Sequence, residues 1–232
     1  MRDKNILIIG GSSGIGLALA ELLAPHNNII VASRTAESIA GLDVKHISYD
    51  ATQDDLDTSL LPEVLHGFVY CPGSINLRPF KGLKLDAFQS DFEINLLGAV
   101  RSLKSVLNQL SASGNASVVF FSTVAVQTGM PFHSSVAASK GAIEGLTRSL
   151  AAEFAPKIRV NAIAPSLVDT PMASKFLNNE VKIEKANERH PLGRVGNAKE
   201  MAQASAFLLG EESSWMTGKI LKLDGGIGNL KS

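Results

Sequence analysis

Short runs of aliphatic and β-branched residues, apolar almost throughout, recur along this chain and are separated by longer stretches with helical spacing. The runs are NILIIG (5–10), NIIVASR (28–34), VKHISYD (44–50), GFVYCPG (67–73), ASVVFFS (116–122), KIRVNAIAP (157–165) and KILKLDGG (219–226). A strand wet on one face alternates apolar with polar residues. A strand apolar at successive positions has both faces covered, as in a parallel sheet between two helical layers. The covering helices are expected over 14–24, 86–112, 136–156 and 198–210, where apolar residues recur at i, i+3 and i+4. Strands alternating with helices predict βαβ units in a doubly wound α/β fold of Rossmann type, with a parallel sheet of about seven strands.

Nothing in the chain marks a second domain. No internal repeat, charge block or Pro/Ser-rich linker interrupts the pattern, and 232 residues with 45% apolar content bury a large core without staples. A single domain over 1–232 is expected. Lys+Arg and Asp+Glu both number 22, so no excess charge favours nucleic acid or an anionic membrane. The lone Cys71 rules out an intrachain disulfide, and no apolar run reaches membrane-spanning length; a cytoplasmic location is the expectation. The least patterned stretch is 170–197, polar and bounded by Pro171 and Gly196. It reads as a mobile substrate flap with some helix.

Between the first strand and the first helix stands Gly10-Gly11-Ser12-Ser13-Gly14-Ile15-Gly16. Gly10 would permit the tight turn, Gly14 a close backbone approach to a pyrophosphate, and Gly16 close packing of helix on strand. The helix start would then face the phosphates with free N–H groups, Ser12, Ser13 and Ile15 among the residues around them. A strand before this turn and a helix after it are the context that makes it a dinucleotide site. At the end of the second strand, Ser33-Arg34 stands where an NAD-binding chain offers a carboxylate to the ribose. Arg34 would pair with a 2′-phosphate, which favours NADP(H); the competing reading is a solvated loop cation. Asp50, followed by Ala51, either accepts a hydrogen bond from the adenine amine or is an ordinary turn aspartate.

With these residues and several downstream, the chain resembles the short-chain dehydrogenase/reductase family over essentially its whole length. The family's glycine signature is matched at Gly10, Gly14 and Gly16, its helix-borne asparagine at Asn95 in INLLG, and its serine position by Thr123 in FFSTVA. Its active-site lysine is matched by Lys140 in SVAASKGA. RVNAIAPSLVDTPM (159–172) is similar to the segment that caps the nicotinamide. The resemblance implies roles there for Pro165, Ser166, the backbone of Val168 and the hydroxyl of Thr170. HPLGRVG and MTGKILKLDGG resemble the family's closing segments. A small-molecule carbonyl or alcohol substrate and a homo-oligomer, tetramer or dimer, are further implications. Small residues along 137–152 (Ala138, Gly141, Ala142, Gly145, Ser149 and Ala152) would let another helix approach.

The departures are equally informative. The threonine leading the glycine signature is Ile9, and the asparagine-rich turn after the fourth strand is Tyr70-Cys71-Pro72-Gly73, which keeps only its glycine. The glycine after Pro165 is Ser166. Only about ten residues separate Arg34 from the third strand, so the usual second helix must be vestigial. The family's proton-donating tyrosine falls on Val136, which carries no proton. His133, three residues earlier, is the expected replacement acid, since residues 133, 136 and 140 share one helical stripe and imidazole titrates near neutrality. Its other reading is a loop histidine that shapes the pocket. Tyr70 is a second candidate, mapped nearer the adenosine side, and His190 is expected in the flap, touching substrate or nothing. Retained Lys140, Asn95 and Thr123 favour an oxidoreductase. The lost tyrosine leaves a second reading, a catalytically silent NADP(H)-binding sensor or partner protein. No metal ligands are expected.

Overall fold

The computed structural model describes residues 1–230. In chain order its elements are β1 (Asn5–Ile9), α1 (Gly14–Leu23), β2 (Asn28–Ser33), β3 (Val44–Ser48), β4 (Gly67–Tyr70), α2 (Leu85–Phe92), α3 (Gly98–Ser105), α4 (Leu107–Ser113) and β5 (Ala116–Phe121). These are followed by α5 (Ala125–Thr128), α6 (Ser134–Phe154), β6 (Ile158–Pro165), β7 (Val168–Asp169), α7 (Glu180–Glu188), β8 (Gly196–Asn197), α8 (Ala198–Leu209) and β9 (Ile220–Leu223).

Seven strands form one parallel sheet in the order β3-β2-β1-β4-β5-β6-β9. The central runs are apolar because both faces are covered. Ile6, Leu7, Ile8, Val118, Val119 and Phe120 have no exposed surface. Alternate side chains feed two cores. One holds Leu7, Phe68, Phe120 and Ile143; the other holds Ile8, Leu19, Val119 and Leu208. Phe68 and Phe120, on adjacent strands, meet edge to face with ring centroids 6.5 Å apart.

The chain reverses strand order between β1 and β4. The loops leaving the carboxyl ends of those strands therefore diverge and open a crevice there. The second crossover helix is absent: a single 3₁₀ turn at Glu37–Ile39 fills the short link from β2 to β3. The helix expected over 86–112 is interrupted twice. It widens into a π-turn at Glu93–Leu97 and breaks at Val106, where φ is −114° and ψ 10°. The flap is more ordered than its polar sequence suggested. It holds a 3₁₀ stretch at Pro171–Phe176 and the helix α7, capped by the Asn179 side chain, which accepts from the Lys182 N–H at 2.9 Å. Its far end is set by the pairing of β7 with β8 and by a reciprocal cap, Asn197 with Glu200, that starts α8. Arg159 on β6 donates to the carbonyls of Leu208 and Gly210 at the C-terminal end of α8, tying helix to sheet. No helix among the described residues is long and apolar enough to cross a membrane.

Candidate active site

The crevice is a cleft of about 1010 Å³ running from the glycine turn to the flap. At one end, Gly10 has φ +74° and Gly14 φ +53°, backbone that side chains with a Cβ rarely adopt. A Cβ on Gly16 would collide with the Gly10 carbonyl oxygen, so the third glycine is needed for helix–turn packing. Ser13 occupies the N-cap position of α1 but makes no side-chain cap bond, and the first turn of α1 carries no acidic residue. The leading N–H groups of α1 are thus left for an external anion, which suits a dinucleotide pyrophosphate. Thr170 faces this turn from the flap: a Cβ on Gly14 would sit 3.5 Å from the Thr170 side chain.

Ser12, Ser33, Arg34, Asp50 and Ala51 line the same end. Arg34 is exposed, while Ser33 is buried and donates to the Thr35 carbonyl at 2.8 Å. Asp50 accepts from the Thr52 N–H at 2.9 Å and the Thr52 hydroxyl at 2.7 Å. These bonds, with nearby Arg34, hold its carboxyl below the usual carboxylate range. Asp50 is therefore a turn aspartate whose second oxygen remains available to the cleft.

At the other end, β5 and α6 bring Lys140 to the cleft floor. Lys140 is 7% exposed, and its ammonium donates to the Phe121 carbonyl at 2.9 Å. Desolvation pulls it down to about 8, opposed by the neighbouring Cys71 and Asp91. Gly73 closes over this group. A Cβ there would lie 3.1 Å from Asn95 Oδ1 and 3.3 Å from Lys140 Nζ, so any other residue would crowd both. Asn95 sits in the π-turn, whose extra residue turns the amide inward and away from the regular helical ladder. Its Nδ2 donates to the Ser74 and Ser139 hydroxyls, each at 3.0 Å, and its Oδ1 accepts from the Ser74 N–H at 3.3 Å. Thr123, after β5, lines the cleft, its hydroxyl accepting from the Ala125 N–H at 3.3 Å. Pro165, Ser166 and Val168 line the wall below the flap.

His133 lies at the start of α6 and lines the cleft with Val136 and Lys140. The Ala137 N–H already bonds the His133 carbonyl at 2.7 Å, so the helical stripe extends to it. Its Nδ1 lies 2.7 Å from the Pro131 carbonyl, a contact that requires a proton on Nδ1 and leaves Nε2 as the exchanging nitrogen. Val136 is buried and fills the position between them.

Tyr70 and His190 take structural places. Tyr70 is 2% exposed, donates its hydroxyl to the Ile94 carbonyl at 2.7 Å and does not line the cleft; burial pushes its phenol well above its ordinary value. It is a strut between β4 and the π-turn, not a proton donor. His190 borders the cleft but is 5% exposed, with Nδ1 2.7 Å from the Ala186 carbonyl and Nε2 2.9 Å from the Ser166 hydroxyl. Both nitrogens are used in anchoring the flap. Ser166, where the family has glycine, supplies that anchor. Cys71 lines the cleft as a half-buried thiol, pushed up to about 12 by desolvation, which keeps it protonated and unreactive as a nucleophile.

One group escaped the sequence reading. Asp91 has no exposed surface and accepts from Ser74 Oγ and Asn76 Nδ2, both at 2.6 Å, and from Ser135 Oγ. Its position four residues before Asn95, on the same helical face, was the available signal; partners 17 and 44 residues away were not visible.

A parallel sheet, an uncapped glycine turn at the strand-order reversal and a lysine on the cleft floor, with Asn95 fully buried just off the cleft, make up an architecture suited to a nucleotide-dependent oxidoreductase. The comparisons agree. Residues 10–228 match the family model described as enoyl-(acyl carrier protein) reductase. A 2,5-dichloro-2,5-cyclohexadiene-1,4-diol dehydrogenase of Sphingobium indicum is 32% identical, covering 97% of each chain. The ligand-free aldohexose dehydrogenase of Thermoplasma acidophilum superposes with a TM-score of 0.90 at 27% identity, covering 100% of this chain and 97% of that one. An actinorhodin polyketide ketoreductase variant with NADPH superposes at 0.91 with 25% identity, covering 99% and 100%. The chain belongs to the short-chain dehydrogenase/reductase family of oxidoreductases, which interconvert alcohols and ketones.

The buried lysine makes a pH prediction. An unfolded lysine titrates near 10.5 and the folded Lys140 near 8. Between these values the unfolded state binds the extra proton, so stability should rise with pH across that window and be insensitive to this group below it. Compared with Lys140→Met, wild type should gain on the order of 3 kcal/mol from pH 8 to 10.5. Urea unfolding of both proteins across this window checks the sign and size of the difference.

Proposed function

We propose that the protein is an NADP(H)-dependent oxidoreductase of the carbonyl reductase/alcohol dehydrogenase type in which a group other than tyrosine handles the proton. The observation that carries this reading is Lys140, buried on the cleft floor beside Asn95 and Gly73. An ammonium is costly to desolvate for packing alone, and its one protein acceptor leaves two N–H groups for a ligand. Bound along the cleft, the dinucleotide would supply or accept the hydride.

The chain's own groups then have distinct tasks. The α1 N-terminus and Thr170 hold the pyrophosphate, and Arg34 holds the 2′-phosphate. Ser33 and Asp50 with Ala51 border the adenosine, and the Val168 backbone meets the carboxamide. Lys140 binds the nicotinamide ribose, and the Thr123 hydroxyl orients the substrate oxygen. His133 Nε2 gives the proton to the developing alkoxide in reduction, or takes it from the alcohol in oxidation, while Pro131 fixes the ring through Nδ1. Asn95 and Ser74 keep the floor of the site rigid. The retained lysine and asparagine disfavour a silent sensor. The chain is further proposed to assemble as a homo-oligomer through α6, where Ala138, Gly145, Ser149 and Ala152 are exposed and nothing lies within 4 Å of a Cβ placed on Gly145.

Three measurements check these assignments. NADPH should bind more tightly than NADH, and Arg34→Ala should lose about 1.5–3 kcal/mol of NADPH binding while leaving NADH unchanged; equal wild-type affinities contradict the assignment. With a carbonyl found by following NADPH oxidation over a panel, His133→Ala should lower turnover about 10²–10⁴-fold at near-normal cofactor affinity. Wild-type turnover in that variant rejects His133 as the acid. Light scattering at micromolar concentration should report a dimer or tetramer, and a monomer contradicts assembly through α6.

A further inference from the structure

The flap side of the cleft is lined by cations: Lys175, Lys182, Lys185 and Arg189. The only carboxylate among all the lining residues is Asp50, at the opposite end beside Arg34. Helix α7 is segregated by charge. Lys182 and Lys185, with the C-cap residue Arg189, lie along one stripe at spacings of three, four and seven residues and border the cleft. Glu180, Glu184 and Glu188 lie along another stripe and do not border it. Every i, i+4 pair of charges here is a like pair: Glu180 with Glu184, Glu184 with Glu188, and Lys185 with Arg189. Each such pair weakens the helix, whereas alternating signs would have strengthened it. Lys185 and Glu188, three apart, are the one opposite-sign pair at helical spacing, and the macrodipole favours Glu180 and Lys185 at their ends of the helix but not Glu188 at the C-terminal end. Lys185 and Arg189 are in no ion pair among the described residues.

These cations stand at the reactive end of the cleft rather than over the adenosine. Lys175 Nζ reaches across to donate to the Ile75 carbonyl at 2.9 Å. Ile75 follows Ser74, whose N–H bonds Asn95, and Gly73, which abuts Lys140. Lys182 Nζ in turn donates to the Lys175 carbonyl at 3.0 Å and to Asn178 Oδ1 at 2.9 Å. The first two lysines thus brace the flap against the loop that carries the site. Lys185 and Arg189, one and two turns further along α7, border the cleft and are in no ion pair among the described residues.

We propose that the substrate is anionic: a ketone or secondary alcohol whose carboxylate or phosphate is held by Lys185 and Arg189 while its carbonyl carbon lies near Lys140. The proposal rests on the oxidoreductase reading above. A cleft lined by one sign of charge concentrates a substrate of the opposite sign and orients it end-on. It also makes the Michaelis constant dependent on salt.

The test uses matched pairs of straight, branched and cyclic ketones, each keto acid against its methyl ester, with dihydroxyacetone phosphate against dihydroxyacetone as the phosphate arm. The charged member of a reduced pair should have a KM at least about tenfold below its neutral partner, since charge-assisted bonds to Arg and Lys are among the stronger polar contacts. The arm showing the preference identifies the anion as carboxylate or phosphate. The double variant Lys185→Gln, Arg189→Gln should abolish the acid-to-ester KM ratio, and Glu184→Gln, on the other stripe, should preserve it. Calorimetric binding of the keto acid to NADPH-loaded protein should weaken in the double variant, with the NADPH dissociation constant unchanged. If neutral ketones are reduced with KM values equal to or below those of their anions, the anionic-substrate proposal fails and the oxidoreductase reading stands. If no ketone of either kind is reduced while NADPH binds, both fall together.

Discussion

A single carboxylate with no access to solvent joins the pieces from which the site is made. Asp91 accepts from Ser74 and Asn76 in the loop after β4 and from Ser135 in the first turn of α6. Those segments carry Gly73, pressed against Lys140, and the helix turn that bears His133 and Val136. The same Ser74 hydroxyl accepts from the Asn95 amide, so a chain of hydrogen bonds runs from the loop through the π-turn to Ser139 on α6. Buried polar networks of this kind are stabilising only when every member is satisfied, because each orphaned donor costs about 1–3 kcal/mol. Three segments far apart in sequence are thereby held in one geometry.

The sheet makes that geometry useful. Strand order reverses between β1 and β4, so the loops after these two strands part, one carrying the glycine turn and the other the Cys71–Asn76 wall. The cleft inherits a polarity from its two ends: an unpaired helix N-terminus with Arg34 at one, and a desolvated ammonium with a cationic flap at the other. Cations line both ends, with Asp50 the one carboxylate among the lining residues, although the chain as a whole is balanced, with 22 basic and 22 acidic residues. Net charge therefore said nothing about the ligand, and its distribution says a good deal.

How much of this was legible beforehand follows the range of the interactions. The strands were readable because burial on both faces leaves local apolar runs, and the glycine turn because backbone at positive φ leaves glycines at fixed spacing. The missing second helix followed from chain length alone. Periodicity predicts one continuous helix over 86–112 because it does not register one extra residue, and buried Asn95 lies in the turn that holds that residue. Tyr70 looks like a proton donor by residue type, and His190 like a flap residue touching substrate or nothing; their protein partners, Ile94, Ala186 and Ser166, are contacts that no local pattern encodes. Asp91 was overlooked for the same reason, and the segregated faces of α7 became meaningful only once the cleft showed which face it met.

With valine at position 136, this cleft is proposed to transfer hydride between a bound dinucleotide and a carbonyl carbon. Incubating the protein with NADPH deuterated at the transferable C4 position and a panel of ketones, followed by mass spectrometry and NMR of the alcohols, tests it directly. One deuterium is expected at the former carbonyl carbon of a reduced ketone, delivered to a single face. Tight NADPH binding with no deuterium transferred to any ketone in the panel would contradict it.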